Sequence, residues 1–239
     1  MAEAAQDVIA VVPARKGSKG LPGKNIRPLL GRPLVEWSIS QALASNEISL
    51  VHVSTDCETT AAIARSAGAD VPVLRPAHLA TDDATSISVV EHVLGHYREQ
   101  GREFGFVVLV EPTSPLRRSS DLDMAVRLLK EHSADFDSLV TLGPVATHPA
   151  LMKRLDGLRV LPITPDADPS ARRQDLPETY FPFGVAYVVK VNTLLTERTF
   201  YAARCMGMRL DRFQSHEIDD EYDFLCVEAI MRDMESRSC

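Results

Sequence analysis

Five apolar residues, Val8–Val12, run without interruption into Pro13. Beyond it the chain carries Arg15, Lys16, Lys19, Lys24 and Arg27, with Gly17, Gly20 and Gly23 between them. The apolar, mostly β-branched run reads as a buried strand that leaves its sheet at the proline and continues as a loop. Clustered cations of this kind stand out in a chain of formal net charge −7. A solvated charged face or a plain flexible loop would also carry lysine and glycine, so the loop alone does not decide. Its place after a first strand does: open α/β sheets bind nucleotides at the carboxyl ends of their strands. Glycines let a backbone approach a ligand closely, and Lys and Arg neutralise phosphate oxygens. The reading is a cradle for a nucleoside triphosphate.

Two familiar phosphate loops do not fit. For a Walker A motif Gly17 and Gly23 are one residue too far apart, Pro22 stands in the second glycine's place, and Asn25 replaces the Ser/Thr. Gly-x-Gly-x-x-Gly is absent as well. The remaining composition narrows the class further. At 239 residues, 45% hydrophobic and 25% charged, the chain is long enough for one sizeable core. No apolar run approaches the ~18–20 residues of a membrane span. The first seven residues lack the basic and apolar regions of a signal peptide, so a cytoplasmic location is expected. Cys57, Cys205, Cys226 and Cys239 are scattered and are expected to remain thiols. A pI near 5.5 argues against a nucleic-acid-binding surface.

Further along, apolar strands alternate with helical patterns. Strands are expected at Ser49–Ser54, Val71–Leu74, Phe104–Val110 and Ser138–Leu142. Helices are expected at Pro33–Ser45, Glu58–Ala67, Ser86–Glu99 and Ser120–Glu131, the last capped by Ser119 or Ser120. This βαβα order predicts an α/β fold, a doubly wound and mostly parallel sheet covered on both faces. Residues 144–182 break the pattern and hold nearly half of the 15 prolines. Within them Leu151–Arg154 and Leu158–Leu161 flank Asp156-Gly157 as a small hairpin. Strands at Val185–Val189 and Met206–Leu210 and a helix at Glu221–Met234 complete the chain. Residues 1–239 thus read as one domain with an insertion. His92 and His96, four apart on a helix, lack a third ligand for zinc and read as a half-exposed face.

The segment Pro-Ala-Arg15-Lys-Gly-Ser18-Lys19-Gly-Leu-Pro-Gly-Lys24-Asn25 resembles the signature loop of the acylneuraminate cytidylyltransferases, the CMP-sialic acid synthetases. The resemblance extends over nearly the whole chain. It implies that Arg15, Ser18, Lys19 and Lys24 hold the phosphates of CTP and that Asn25 contacts the cytosine ring. Arg75-Pro-Ala-His-Leu-Ala-Thr-Asp-Asp-Ala-Thr-Ser86 resembles the family's Arg-Pro-x-x-Leu-Ala-x-Asp-x-x-x-Ser, making Arg75 and Ser86 cytidine-recognition residues. By themselves Asp82 and Asp83 read as the acidic start of a helix. Glu111-Pro-Thr113-Ser114-Pro-Leu-Arg117 resembles the family's sugar-contacting Gln-Pro-Thr-Ser-Pro-Leu-Arg, with Glu111 in place of glutamine and Arg117 as a fixed cation. Arg173 matches an arginine expected near the sugar carboxylate or phosphates. Phe183-Gly-Val-Ala-Tyr187 stands where the family has Asn-Gly-Ala-Ile-Tyr, and Phe200 and Tyr201 match an aromatic pair lining the acyl pocket. His148-Pro149 with Lys153 resembles a dimer-arm segment, so residues 144–182 are expected to form a homodimer and help close the partner's site.

Glu217-Ile-Asp219 stands where the family has Asp-Ile-Asp. Two carboxylates two residues apart face one way in an extended segment and suit Mg2+ (or Mn2+), which takes one or two carboxylates plus substrate phosphates. An acidic N-terminus for the last helix, capped by Asp219 or Asp220, is the competing reading. Both hold if Asp219 faces the metal while Asp220 and Glu221 serve the helix. The resemblance therefore implies a magnesium-dependent cytidylyltransferase with Arg15, Lys19 and Asp219 as its catalytic residues. Its partners would be CTP and a nine-carbon sugar acid. Phe183 in place of a hydrogen-bonding asparagine favours a diacylamino sugar acid over N-acetylneuraminate. An eight-carbon 2-keto sugar acid, another sugar, or a non-catalytic nucleotide-binding role are the alternatives.

Overall fold

The computed structural model describes residues 6–164 and 172–237. Along the chain come β1 (Val8–Pro13), the short ribbon of β2 (Pro28–Leu29) and β3 (Arg32–Pro33), α1 (Leu34–Leu43), β4 (Leu50–Ser54) and α2 (Glu58–Ser66). Next are α3 (Ser86–Glu99), β5 (Phe106–Leu109), α4 (Ser119–Glu131) and β6 (Ser138–Pro144). A hairpin of β7 (Lys153–Asp156) and β8 (Arg159–Pro162) precedes β9 (Tyr180–Lys190), α5 (Val191–Glu197), β10 (Cys205–Arg209) and α6 (Glu221–Arg237). Six strands form one sheet in the order β10-β6-β9-β5-β1-β4. Its neighbours are parallel except where β9 runs antiparallel between β5 and β6. The α/β expectation holds, with β9 as the reversed strand.

The unbroken apolar run of β1 has a direct cause in this arrangement. Val8, Ala10 and Val12 face a core packed by α1, α2 and α4, while Ile9 and Val11 face the opposite layer with α3 and α5. Both faces of the strand are dry, so neither parity is polar. A third cluster lies at the carboxyl edge of the sheet, where Leu21, Leu29, Leu34, Leu116 and Ile218 pack against Phe224, Val227 and Met231 of α6. No helix among the described residues is long and apolar enough to cross a membrane. Cys57, Cys205 and Cys226 are free thiols.

Three local expectations are corrected. Val71–Leu74 does not form a strand; Asp70 makes a single bridge to His52. Pro72 then withholds the donor that a ladder would need. The start of α4 is not capped by a serine: Arg118 stands at the cap, and the Asp121 carboxylate accepts its N–H at 2.8 Å. Asp82 and Asp83 do not open α3, whose cap is Thr85, its hydroxyl accepting the Ser88 N–H at 3.2 Å. The hairpin turns at Gly157-Leu158, with Gly157 at φ 58°, a conformation that favours glycine.

Candidate active site

Parallel pairing of β1 with β4 and β5 places the ends of all three strands along one edge of the sheet. Three loops therefore meet there: the glycine-rich loop after β1, the Glu111–Arg117 turn after β5, and the acidic segment before α6. Ile218 joins them. Its N–H donates to the Thr113 carbonyl at 2.8 Å, and its carbonyl accepts from Lys24 Nζ at 2.6 Å. Its side chain is fully buried beside Leu21 of the glycine-rich loop. Burial of one such side chain is worth roughly 1.5–3 kcal/mol. The half-exposed Lys24–Asp219 ion pair at 3.2 Å adds ~0–1 kcal/mol. Apolar packing, more than charge pairing, brings the basic and acidic segments together.

Because Ile218 points inward, the carboxylates on either side of it are left at the cavity. Pro13, Arg15, Ser18, Lys19, Gly20, Lys24, Asn25, Glu111, Pro112, Thr113, Glu217 and Asp219 line a cavity of about 550 Å3. Gly20 is required by space: a Cβ there would overlap the Asp219 carbonyl oxygen. Asn25 is buried and its amide donates to the Arg15 carbonyl at 2.9 Å, bracing the loop. The helix and the site share the acidic run as the sequence allowed. Asp220 accepts the N–H groups of Tyr222 and Asp223 at 2.8 and 3.0 Å. Glu221 pairs with both terminal nitrogens of Arg27 at 2.6 Å, and Asp219 stays exposed at the cavity.

A second, smaller cavity of about 210 Å3 adjoins the first and shares Glu111 with it; Ser86, Tyr187, Phe200 and Tyr201 line its wall. Phe200 also packs into the core between the sheet and α3, so one ring serves both the core and the cavity wall. Several other candidates are placed elsewhere. Arg75 is buried and spends its guanidinium on the hydroxyl and carbonyl of Ser54, at 3.0 and 2.5 Å. Ser114 is buried and donates to Glu217 Oε1 at 3.2 Å. The ring of Phe183 lies over Gly143 and against Phe181, outside the lining of both cavities. Arg173 falls in a short turn, Arg173–Asp175, and the contact expected of it lies outside the described side chains.

Arg117 is not a cation facing substrate. It is buried and donates to the carbonyls of Glu111, Gly184 and Val185, to Ser38 Oγ and to Gln41 Oε1. It thereby fastens the turn after β5 to β9 and α1. Gly184 is a site residue that no periodicity marks. A Cβ there would stand less than 3.0 Å from both Glu111 Oε2 and Glu217 Oε1, and its N–H donates to Glu217 Oε1 at 2.5 Å.

The Glu111 carboxyl is pushed up to about 7, first by loss of surrounding water and then by the charge of Glu217. Loss of water also raises Glu217, against the hydrogen bonds from Gly184 and Ser114. A raised carboxyl stabilises the fold fully below its ordinary value of 4.5 and loses that contribution as pH climbs toward 7. Glu111→Gln cannot ionise. In metal-free protein it should exceed the native chain in stability by roughly 1–3 kcal/mol near pH 8 and lose that margin near pH 4. Denaturant unfolding at the two pH values checks this; a constant margin would mean that Glu111 does not titrate there.

The family described as Cytidylyltransferase matches residues 9–232. The chain belongs to that family. It is 35% identical over 221 residues to the N-acylneuraminate cytidylyltransferase of Streptococcus agalactiae serotype III (strain NEM316), covering 92% of this chain and 52% of the relative. The chain thus spans about half the length of this curated relative. It is 32% identical over 228 residues to the CMP-N,N'-diacetyllegionaminic acid synthase of Legionella pneumophila (strain Philadelphia 1), covering 94% of this chain and 96% of the relative. The solved CMP:2-keto-3-deoxy-manno-octonic acid synthetase, complexed with CTP, shares the fold at a TM-score of 0.70 and 16% identity, covering 95% and 99% of the two chains.

Proposed function

We propose that this chain transfers a cytidylyl group from CTP to the anomeric hydroxyl of a nine-carbon 2-keto sugar acid, releasing pyrophosphate. One observation carries the reading: the cations Arg15, Lys19 and Lys24 and the carboxylates Glu217 and Asp219 converge on a single cavity in a chain of the cytidylyltransferase family. Arg15, Lys19 and Ser18 are placed to hold the triphosphate and to stabilise the charge that builds on it as the sugar hydroxyl attacks the α-phosphorus in line. Little covalent chemistry falls to the protein, so orientation and charge neutralisation account for the rate. The smaller cavity, reached through Glu111, is where the sugar acid would sit.

The residues present fit a magnesium ion. Glu217 and Asp219 supply two hard oxygen donors at the cavity. That suits a cation completed by substrate phosphates and water. When bound, it would neutralise phosphate charge. Asp219 is held in place meanwhile by Lys24.

Assay of CTP with a panel of sugar acids, scored by pyrophosphate release, tests the reading. Turnover with nine-carbon acids supports it; turnover only with an eight-carbon acid, or binding without turnover, would replace it. The panel includes N-acylneuraminate and a diacylamino acid, the sugar acids named for the Streptococcus and Legionella relatives; the diacylamino acid is the one expected from the sequence. Phe183 no longer supports that preference, since it lines neither cavity. A reaction that consumes CTP would place the chain in the cytoplasm, as the sequence leads one to expect.

The same reading includes a homodimer. The hairpin exposes Leu155, Leu158 and Val160 at 74%, 101% and 64%, and Phe181 at the root of β9 is exposed at 52%. Two short strands cannot bury such residues by themselves, and a second copy of the arm is the self-complementary cover. Sedimentation should give a dimer at micromolar concentration that Leu158→Asp combined with Val160→Asp converts to monomer. A native monomer would remove the dimer from the proposal.

A further inference from the structure

One acidic residue of the site has no place in the reaction just described. Asp82 lies in the loop between the short turn Ala77–Leu79 and α3, where its neighbours made it look like the start of a helix. Its carboxylate bridges the two cations of the glycine-rich loop instead. Oδ1 meets Arg15 Nη2 at 2.7 Å and Oδ2 meets Lys19 Nζ at 2.7 Å. Arg15 Nη1 reaches the same loop again through the Ala80 carbonyl at 3.4 Å. Lys19 and Arg15 also hold the Asp82 carboxyl below its ordinary range, so it is charged at neutral pH. One oxygen on each of two cations is the arrangement that a phosphate group would also demand of them.

We propose that Asp82 is a built-in competitor of phosphate for Arg15 and Lys19, setting how tightly the site holds triphosphate and how readily it releases pyrophosphate. This rests on the reading of Arg15 and Lys19 as triphosphate ligands. A triphosphate that takes both cations displaces the carboxylate, breaking two ion pairs. One that shares them is left beside a like charge. Either way the carboxylate weakens polyphosphate binding, and it returns to the cations as the product leaves. Asp83, one residue on, forms no ion pair among the described residues and serves as the internal control.

The test is calorimetric titration of the full chain with inorganic tripolyphosphate in the presence of magnesium, together with pyrophosphate inhibition of turnover. Asp82→Asn should bind tripolyphosphate about three- to tenfold more tightly, the worth of one or two half-exposed ion pairs. It should also be inhibited by pyrophosphate at correspondingly lower concentration, while Asp83→Asn matches the native chain. Asp82 sits on an exposed loop, so the variant should unfold at the native temperature. Equal or weaker binding by Asp82→Asn, with Lys19→Ala still impaired, would overturn the competitor role and leave the cradle standing. Native binding by both Arg15→Ala and Lys19→Ala would overturn the cradle and this proposal with it.

Discussion

Replacing Lys19 or Arg15 by alanine should lower turnover by about a hundredfold or more, with the melting temperature little changed. Lys19 has a side chain 79% exposed and Arg15 one 30% exposed, and neither belongs to the three apolar clusters. Their loss therefore costs the fold only weak surface pairs with Asp82. The reaction, by contrast, loses a cation aimed at charge that develops in the transition state. Pyrophosphate release at saturating CTP and sugar acid, alongside a thermal melt, separates the two effects. Near-native turnover in either variant would remove that residue from the cradle.

The second large effect concerns the acidic segment. Chelation of divalent cations should abolish turnover, and magnesium or manganese should restore it, while the metal-free chain stays folded around its apolar clusters. Asp219→Asn should raise the magnesium needed for half-maximal rate by about tenfold or more, because a neutral amide is a poor ligand for a hard cation. The helix beneath should not suffer, since Asp220 is its cap and Asp219 contributes only its backbone N–H to Asp223. Asp220→Asn is the matching control and should leave the metal titration in place. A metal titration of Asp219→Asn that superimposes on the native one would return Asp219 to a structural role.

Much of the sheet was readable because burial on two faces leaves a distinctive mark. The runs of β1 and β5 carry no polar parity, and parallel strands between covering helices are the simplest way to make both faces dry. Val71–Leu74 misled because β-branched residues suit a strand wherever they occur, whereas the ladder also needs donors that Pro72 cannot give. The two aspartates before α3 misled for a related reason. An acidic pair before a helix is locally favourable, yet Asp82 found two cations sixty-odd positions earlier in the chain. No local pattern encodes that encounter.

The sequence by itself determined the inventory of the site: a cationic glycine-rich loop after a buried strand, a rigid turn after another, and a pair of carboxylates before the last helix. These are local matters of residue type and spacing. Only the tertiary structure decided which of those groups face the cavity. Arg75 and Arg117, cations in the sequence, are turned inward to bind backbone carbonyls, because a buried guanidinium must fill its donors. Gly184, which the sequence offered only as part of a motif with no role of its own, stands where two carboxylates come together and leave no room for a side chain. The parallel order of β4, β1 and β5, made by pairings about 40 and 100 residues apart, and the burial of Ile218, tied to Lys24 nearly two hundred residues earlier, bring the three loops to one edge.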